Sequence, residues 1–266
     1  MKTLLEHKIR EVMDLCNGRV SVAIDLPSQS IQINGDRSYS AASLIKIPIL
    51  LEGFRQSEEG KISLSEKVTV PREGRVGGAG VLAALSENLS LTIEDLLTLM
   101  IIVSDNTASN LLIDRLGSNA IQELCNSLKL KQTKLRRKLM DFKAMEQGLN
   151  NDTSALDIIS CLKVLDNSPE FSQTSREKMV HILHKQQFDN KLPSRMDREV
   201  VFVANKTGEL PGIEHDCAIL KLGNKTAYIA VLIDELGENE SGKDTIAQIG
   251  KLIFDFLINE DNQKSR

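Results

Sequence analysis

Apolar residues at Leu5, Ile9, Val12, Met13 and Cys16 follow helical spacing, so a helix is predicted over Leu4–Cys16, ended by Asn17-Gly18. Val20–Leu26 and Ser30–Asn34 read as two strands joined by Pro27-Ser28-Gln29, with Asn34-Gly35 as a turn signal. From about Ser40 to about Lys191 the rhythm becomes mostly helical, at Thr92–Val103, Ala108–Leu116, Ala120–Leu128, Ala155–Leu165 and Arg176–Leu183. The pattern then reverts to β-branched runs at Val200–Asn205, Cys217–Leu222 and Thr226–Ile233, and Asp244–Leu257 closes as an amphipathic helix. Two early strands and three late ones imply one five-stranded antiparallel sheet built from both ends of the chain and flanked by helices. Such an α/β fold assigns residues 1–39 and 192–266 to a discontinuous sheet domain and 40–191 to an inserted all-α domain. A cleft between the two is a usual place for a ligand.

With 266 residues, 41% hydrophobic and 26% charged, the chain has ordinary globular composition. It has no Trp and 3% aromatic residues, so the core must be built from Leu, Ile and Val. A net charge of -4 argues against a nucleic-acid partner, which would need a clustered positive field. The basic run Lys134–Lys138 is short and reads as a solvated helix end or loop. No apolar run approaches the roughly 20 residues of a membrane-spanning helix, so no membrane partner is expected. Glu6, Lys8, Arg10 and Glu11 interrupt the N-terminus before any signal-peptide core can form. A cytoplasmic protein is expected, or a mature form whose leader was removed. Cys16, Cys125, Cys161 and Cys217 form no CxxC pair; free thiols are expected, with neither disulfides nor a metal site. No cofactor is implied, and a monomer acting on a small molecule is the expectation.

Three short motifs carry chemistry: Ser43-Leu-Ile-Lys46, Ser104-Asp105-Asn106 and Lys206-Thr207-Gly208. Each alone is weak. Ser160/Lys163 and Ser175/Lys178 repeat the first spacing, Asp105 could be a helix N-cap, and Lys206-Thr207-Gly208 could end a strand in a turn. Together, in this order and on these elements, they are specific. Ser43 would begin a helix, where free N–H groups favour developing negative charge. Lys46, one turn on, would bring its amine to the Ser43 hydroxyl. A lysine can take that proton only when burial and a nearby cation depress its pKa, and Lys206 could be that cation. Pro48 is tolerable near the first turn.

On these motifs the chain resembles the class A β-lactamase-type, penicillin-recognising serine hydrolases, from the first strand to the last helix. The intervals Ser43–Ser104 and Ser104–Lys206 are similar to that family's layout, and Gly77-Gly78-Ala79-Gly80-Val81-Leu82 resembles its pocket-edge loop. The resemblance implies an acyl-enzyme on Ser43 with Lys46 as base, formed by opening a β-lactam amide. It implies that Ser104 relays a proton to the leaving nitrogen and that Asn106 hydrogen-bonds the substrate amide. Lys206 and Thr207, with Gly208, would bind the substrate carboxylate. The backbone N–H groups of Ser43 and Glu209 would form the oxyanion hole, each contributing about 3 kcal/mol to the transition state. An esterase, a D-alanyl-D-alanine peptidase and a β-lactam-binding protein with slow deacylation are the alternatives on the same fold.

Antibiotic-hydrolysing members of that family activate the deacylating water with a glutamate in a Glu-x-x-Leu-Asn loop. Glu146-Gln147-Gly148-Leu149-Asn150 matches literally, yet Asp152-Thr153-Ser154 follows Asn150 after a single residue, where the family has a longer loop. Either a shortened loop still delivers Glu146, or Met145–Asn150 is a plain connection without a base. Pro211-Gly212-Ile213-Glu214-His215-Asp216 also departs from typical resistance enzymes. A His215–Asp216–Ser43 triad and a structural His-Asp pair are both readable there. His181 and His184 read as surface histidines.

Overall fold

The computed structural model describes residues 3–264. Helix α1 (Leu4–Asp14) opens on the Thr3 hydroxyl, which accepts from the Glu6 N–H, and turns Leu5 and Ile9 inward. Strands β1 (Arg19–Asp25), β2 (Ser30–Ile33) and β3 (Tyr39–Ser40) follow. A 3₁₀ turn at Ala42–Ile45 leads into α2 (Lys46–Glu58), then β4 (Lys67–Val70), β5 (Leu89–Thr92), α3 (Ile93–Ile102), α4 (Asn106–Leu116) and α5 (Ser118–Ser127). The short α6 (Phe142–Glu146) and β6 (Asp152–Thr153) precede α7 (Ala155–Asn167) and α8 (Gln173–His184). The chain ends with β7 (Phe202–Leu210), β8 (Ile213–Leu222), β9 (Lys225–Asp234) and α9 (Asn239–Lys264).

The expected five-stranded antiparallel sheet is present, in the order β2-β1-β9-β8-β7. Its residues alternate between two cores, as the period of two in a strand requires. Val20, Val22, Ile24, Ala218, Leu220, Ile229, Val231 and Ile233 face one buried cluster, shared with α1 and α9. Ala23, Ala204, Cys217, Ile219, Ala230 and Leu232 face the other, shared with α2, α3, α4, α5, α7 and α8. Coverage on both faces explains why these strands read as nearly continuous apolar runs. Helix α2 lies deepest, buried continuously from Lys46 through Phe54.

The structure alters several expected details. The segment 40–191 is not purely helical, because β4 pairs with β5 and β6 pairs with β3. β3 and β6, at two residues each, are too short to register as strand patterns, whereas β4 (Lys67–Val70) carries a strand's polar–apolar alternation inside a stretch whose rhythm is otherwise helical. Strand β7 runs to Leu210 rather than ending at Asn205, and β8 begins at Ile213 rather than Cys217. Glu214, His215 and Asp216 are fully buried, so polar residues lie where an apolar pattern was sought. Helix α9 likewise extends beyond Asp244–Leu257 at both ends. No helix among the described residues is long and apolar enough to cross a membrane. Cys125, Cys161 and Cys217 are buried free thiols.

Gly250 lets α9 approach the 3₁₀ turn Leu192–Arg195 at backbone distance. A Cβ there would lie 2.2 Å from the Leu192 carbonyl oxygen. Gly250→Ala raises helix propensity by about 1 kcal/mol. It is nonetheless expected to lower stability by about 2 kcal/mol, because backbone must move to admit the methyl. A urea midpoint at or above wild type would contradict this close approach.

Candidate active site

Ser43 sits in the 3₁₀ turn ahead of α2 rather than in the α-helix itself, and it is partly exposed. The residue before it, Ala42, has a φ of 45°, and Ser104 a φ of 54°, both in the left-handed region that costs a non-glycine residue about 1 kcal/mol or more. The strain thus sits beside Ser43 and at Ser104, and the surrounding structure must hold it. Lys46 opens α2 with no exposed surface. Its amine lies 3.0 Å from the Ser43 Oγ, 2.7 Å from the Ser104 carbonyl, 2.9 Å from the Ser104 Oγ and 2.9 Å from the Asn106 Oδ1. Burial holds its pKa well below the usual lysine range; Lys206 lowers it further, and Asp105 opposes.

Ser104-Asp105-Asn106 joins α3 to α4. Asp105 is the N-cap of α4, with Oδ1 accepting from the Ala108 N–H. Its Oδ2 also accepts from the N–H groups of Val81 and Leu82, at 2.6 and 2.8 Å. One carboxylate therefore caps the helix and pins the loop expected to edge the pocket. Asn106 Nδ2 donates to the Gly77 carbonyl at 3.1 Å, tying the other end of that loop to the site.

Lys206 lies inside the edge strand β7, fully buried. It donates to the Ser104 Oγ at 3.2 Å and to the Thr207 carbonyl at 2.7 Å. Burial is the main cause that brings its pKa down to about 7, with Lys191 adding to it. Thr207 is buried as well, and Glu209 is exposed at the rim. Gly208 is where β7 meets the serine: a Cβ there would lie 3.4 Å from the Ser43 backbone nitrogen and 3.3 Å from the Ala42 Cβ. Only hydrogen fits comfortably.

Counting protons shows what this cluster can do. An uncharged Lys46 has two N–H groups, and two of its neighbours, the Ser104 carbonyl and Asn106 Oδ1, can only accept. Its lone pair is then left for a hydroxyl. Lys206 donates to the Ser104 Oγ, and Ser104 donates to the Ser43 Oγ at 2.8 Å. The Ser43 proton is thereby directed at the Lys46 lone pair, with the Ser104 Oγ, 2.9 Å away, as the amine's remaining neighbour. That arrangement can strip the Ser43 hydroxyl without histidine.

The cluster brings together Ser43, Lys46, Ser104, Asn106 and Lys206, with Thr207, Gly208 and Glu209 on the adjoining strand. Glu146 is absent from it. It lies exposed on α6 and makes no hydrogen bond or ion pair among the described residues. The His215 triad is not assembled either. Both ring nitrogens are engaged by backbone instead: His215 Nδ1 lies 2.8 Å from the Glu214 carbonyl and 3.2 Å from the Ile233 nitrogen, and Nε2 lies 2.9 Å from the Ser40 carbonyl. Burial pushes this imidazole down to about 4 and keeps it neutral. Asp216 accepts from the Leu192 N–H and from Asn205 Nδ2. In the basic run, Arg136 pairs with Asp152 and Lys138 with Asp114. His184 stacks on Phe202. Sequence reasoning missed the loop anchor in Asp105 and the buried Lys191. The first was visible only as a cap, and the second had no local signal.

Two serines and two lysines are joined in one hydrogen-bond chain at the edge of this sheet, the arrangement of a hydrolytic serine enzyme. The comparisons make the class specific. Residues 4–257 match the model of the beta-lactamase enzyme family, and the chain belongs to that family. The β-lactamase VEB-1 of Pseudomonas aeruginosa is 21% identical, covering 96% of this chain and 91% of its own. The crystal structure of a β-lactamase from Sphaerobacter thermophilus DSM 20745 superposes with a TM-score of 0.87 at 29% identity, covering 94% of this chain and 95% of that one. The structure of PBP-A has the same fold, with a TM-score of 0.88 at 24% identity over 97% of both chains.

Asp105→Ala should leave three backbone N–H groups without their acceptor. A loss of about 3 kcal/mol in unfolding free energy is expected by chemical denaturation. A variant as stable as wild type would show that the 77–82 loop does not depend on this carboxylate.

Proposed function

We propose that the protein acylates itself on Ser43 with β-lactams and related amides or esters, and releases the acyl group slowly. Lys46 is the base that activates Ser43, and Ser104 relays the proton to the leaving nitrogen, with Lys206 behind it. Asn106 hydrogen-bonds the substrate amide. Lys206 and Thr207 receive the substrate carboxylate, with Gly208 giving it room. The N–H groups of Ser43 and Glu209 receive the oxyanion. The observation that carries this reading is the proton chain from Lys206 through Ser104 and Ser43 to Lys46. A mutant of PBP-A is described as an acyl-enzyme complex with penicillin-G, which supports penicillin as the first probe. We also retain the division into a sheet domain (1–39 and 192–266) and a helical domain (40–191), with the substrate between them.

Slow release follows from the company Ser43 keeps. Among the described residues no carboxylate belongs to its hydrogen-bond chain, and the exposed Glu146 side chain has no partner there, so a deacylating water lacks an adjacent base. Intact-mass measurement after incubation with benzylpenicillin should therefore show a one-to-one adduct that persists for many turnovers' time. Ser43→Ala should abolish it, and Glu146→Ala should change its lifetime by less than about twofold. A wild-type protein that never gains the adduct mass sinks the proposal. An adduct lost within seconds, and stabilised by Glu146→Ala, would restore Glu146 as the deacylation base.

Lys206 is an ammonium below its pKa of about 7 and an amine above it. It therefore attracts a substrate carboxylate mainly on the acid side. The ratio of acylation rates for penicillin over a neutral p-nitrophenyl ester should fall by up to about tenfold per pH unit above about 7. Dividing the two rates cancels the shared dependence on Lys46. A ratio independent of pH between 6 and 9 would remove Lys206 from carboxylate recognition.

A further inference from the structure

Behind β7 lies a charged cluster that the reaction described above does not use. Lys191, which directly precedes the turn Leu192–Arg195, is 1% exposed. Its amine donates to the Gly208 carbonyl at 2.9 Å and to the His215 carbonyl at 3.3 Å, and it ion-pairs with the fully buried Glu214. Gly208 and His215 are direct partners across β7 and β8. One amine can reach both carbonyls only if both point into the space between the strands. In an antiparallel ladder that is the hydrogen-bonded kind of pair, so the next residue turns its N–H away from the partner strand.

The next residue is Glu209. The Gly208–Glu209 peptide is planar and trans, so its C=O and N–H point in opposite directions. With the carbonyl held toward Lys191, the Glu209 N–H faces the open edge of β7, where the Ser43 backbone nitrogen lies against Gly208. A cation donating to that carbonyl also draws electron density through the amide and makes its N–H a stronger donor.

We infer that Lys191 is a positioning residue for the oxyanion hole, acting through the Gly208–Glu209 peptide plane. The inference depends on the reading that the Glu209 N–H receives the oxyanion. Lys191 never touches substrate; it fixes the angle and strength of a donor that does. Glu214 pairs with the lysine in its buried position, and Gly250 lets α9 close against the turn that carries it.

The test compares Lys191→Met, Lys191→Arg and Glu214→Gln in the full chain. Three readouts are taken: the acylation rate constant with benzylpenicillin, the non-covalent Kd of the substrate, and the affinity for a boronic acid that forms a tetrahedral adduct on Ser43. Lys191→Met should slow acylation and weaken the boronate by about 10- to 100-fold each, with substrate Kd within about twofold. Lys191→Arg, which still donates to the carbonyl, should recover most of the rate. Glu214→Gln should lose stability, since it removes the nearer of the buried lysine's two carboxylates and leaves only Glu209 at 3.8 Å, yet acylate within about threefold of wild type. If Lys191→Met does not fold, the double variant Lys191→Met/Glu214→Gln, which buries no charge, carries the same expectation. A folded methionine variant that acylates and binds boronate like wild type overturns the inference and leaves the acyl-enzyme reading standing. So does a glutamine variant slowed as much as the methionine one, which would make the cluster purely structural. If the wild type neither acylates nor binds the boronate, the underlying reading fails first and takes the inference with it.

Discussion

The amine of Lys46 is buried with no carboxylate in hydrogen-bonding reach among the described residues, and the site is organised by that fact. An ammonium there would lose its hydration and gain only neutral acceptors, at a cost of several kcal/mol. A neutral amine loses far less, and its free lone pair is what a serine proton needs. Lys206 strengthens the effect because two like charges around one Ser104 hydroxyl cannot both be comfortable. The pair is thus split into one amine and one group poised near neutrality, with Ser104 between them.

Holding that arrangement takes much of the fold. Helix α2 is buried along most of its length, so Lys46 cannot swing out to water. Left-handed backbone at Ala42 and Ser104 aims the two hydroxyls at each other, and the surrounding packing absorbs the strain. Asp105 then spends one carboxylate on both the cap of α4 and the loop of residues 77–82, so the helix and the pocket edge move as one piece.

The sheet supplies the opposing wall. As the edge strand, β7 can turn donors toward the serine, because no further strand occupies them. Beneath it, Lys191, Glu214, His215 and Asp216 are buried polar groups whose partners are largely backbone carbonyls and N–H groups of the strands and turns around the site. Such a layer is costly unless nearly every group finds a partner, and once satisfied it resists displacement. Neutral His215 ties β8 to the Ser40 carbonyl, three residues before Ser43.

Local chemistry made part of this protein legible. The apolar rhythm located the sheet strands and the main helices, since burial on one or two faces leaves a periodic mark. Ser43, Lys46, Ser104, Asn106 and Lys206 stood out as short motifs because each needs a particular residue type at a particular spacing. The two-residue ladder β3–β6, the true length of β7 and the start of β8 left no such mark, since they are too short or carry polar residues at strand positions. Nor could spacing say whether Glu146 reaches the serine or which partners His215 would choose, because those depend on segments far apart in the chain. Composition and pattern determined the α/β frame and singled out the side chains that the fold gathers into one cluster. Tertiary structure alone decided which of them are dry, which meet, and therefore which lysine gives up its proton, since burial and distance are properties of packing rather than of order along the chain.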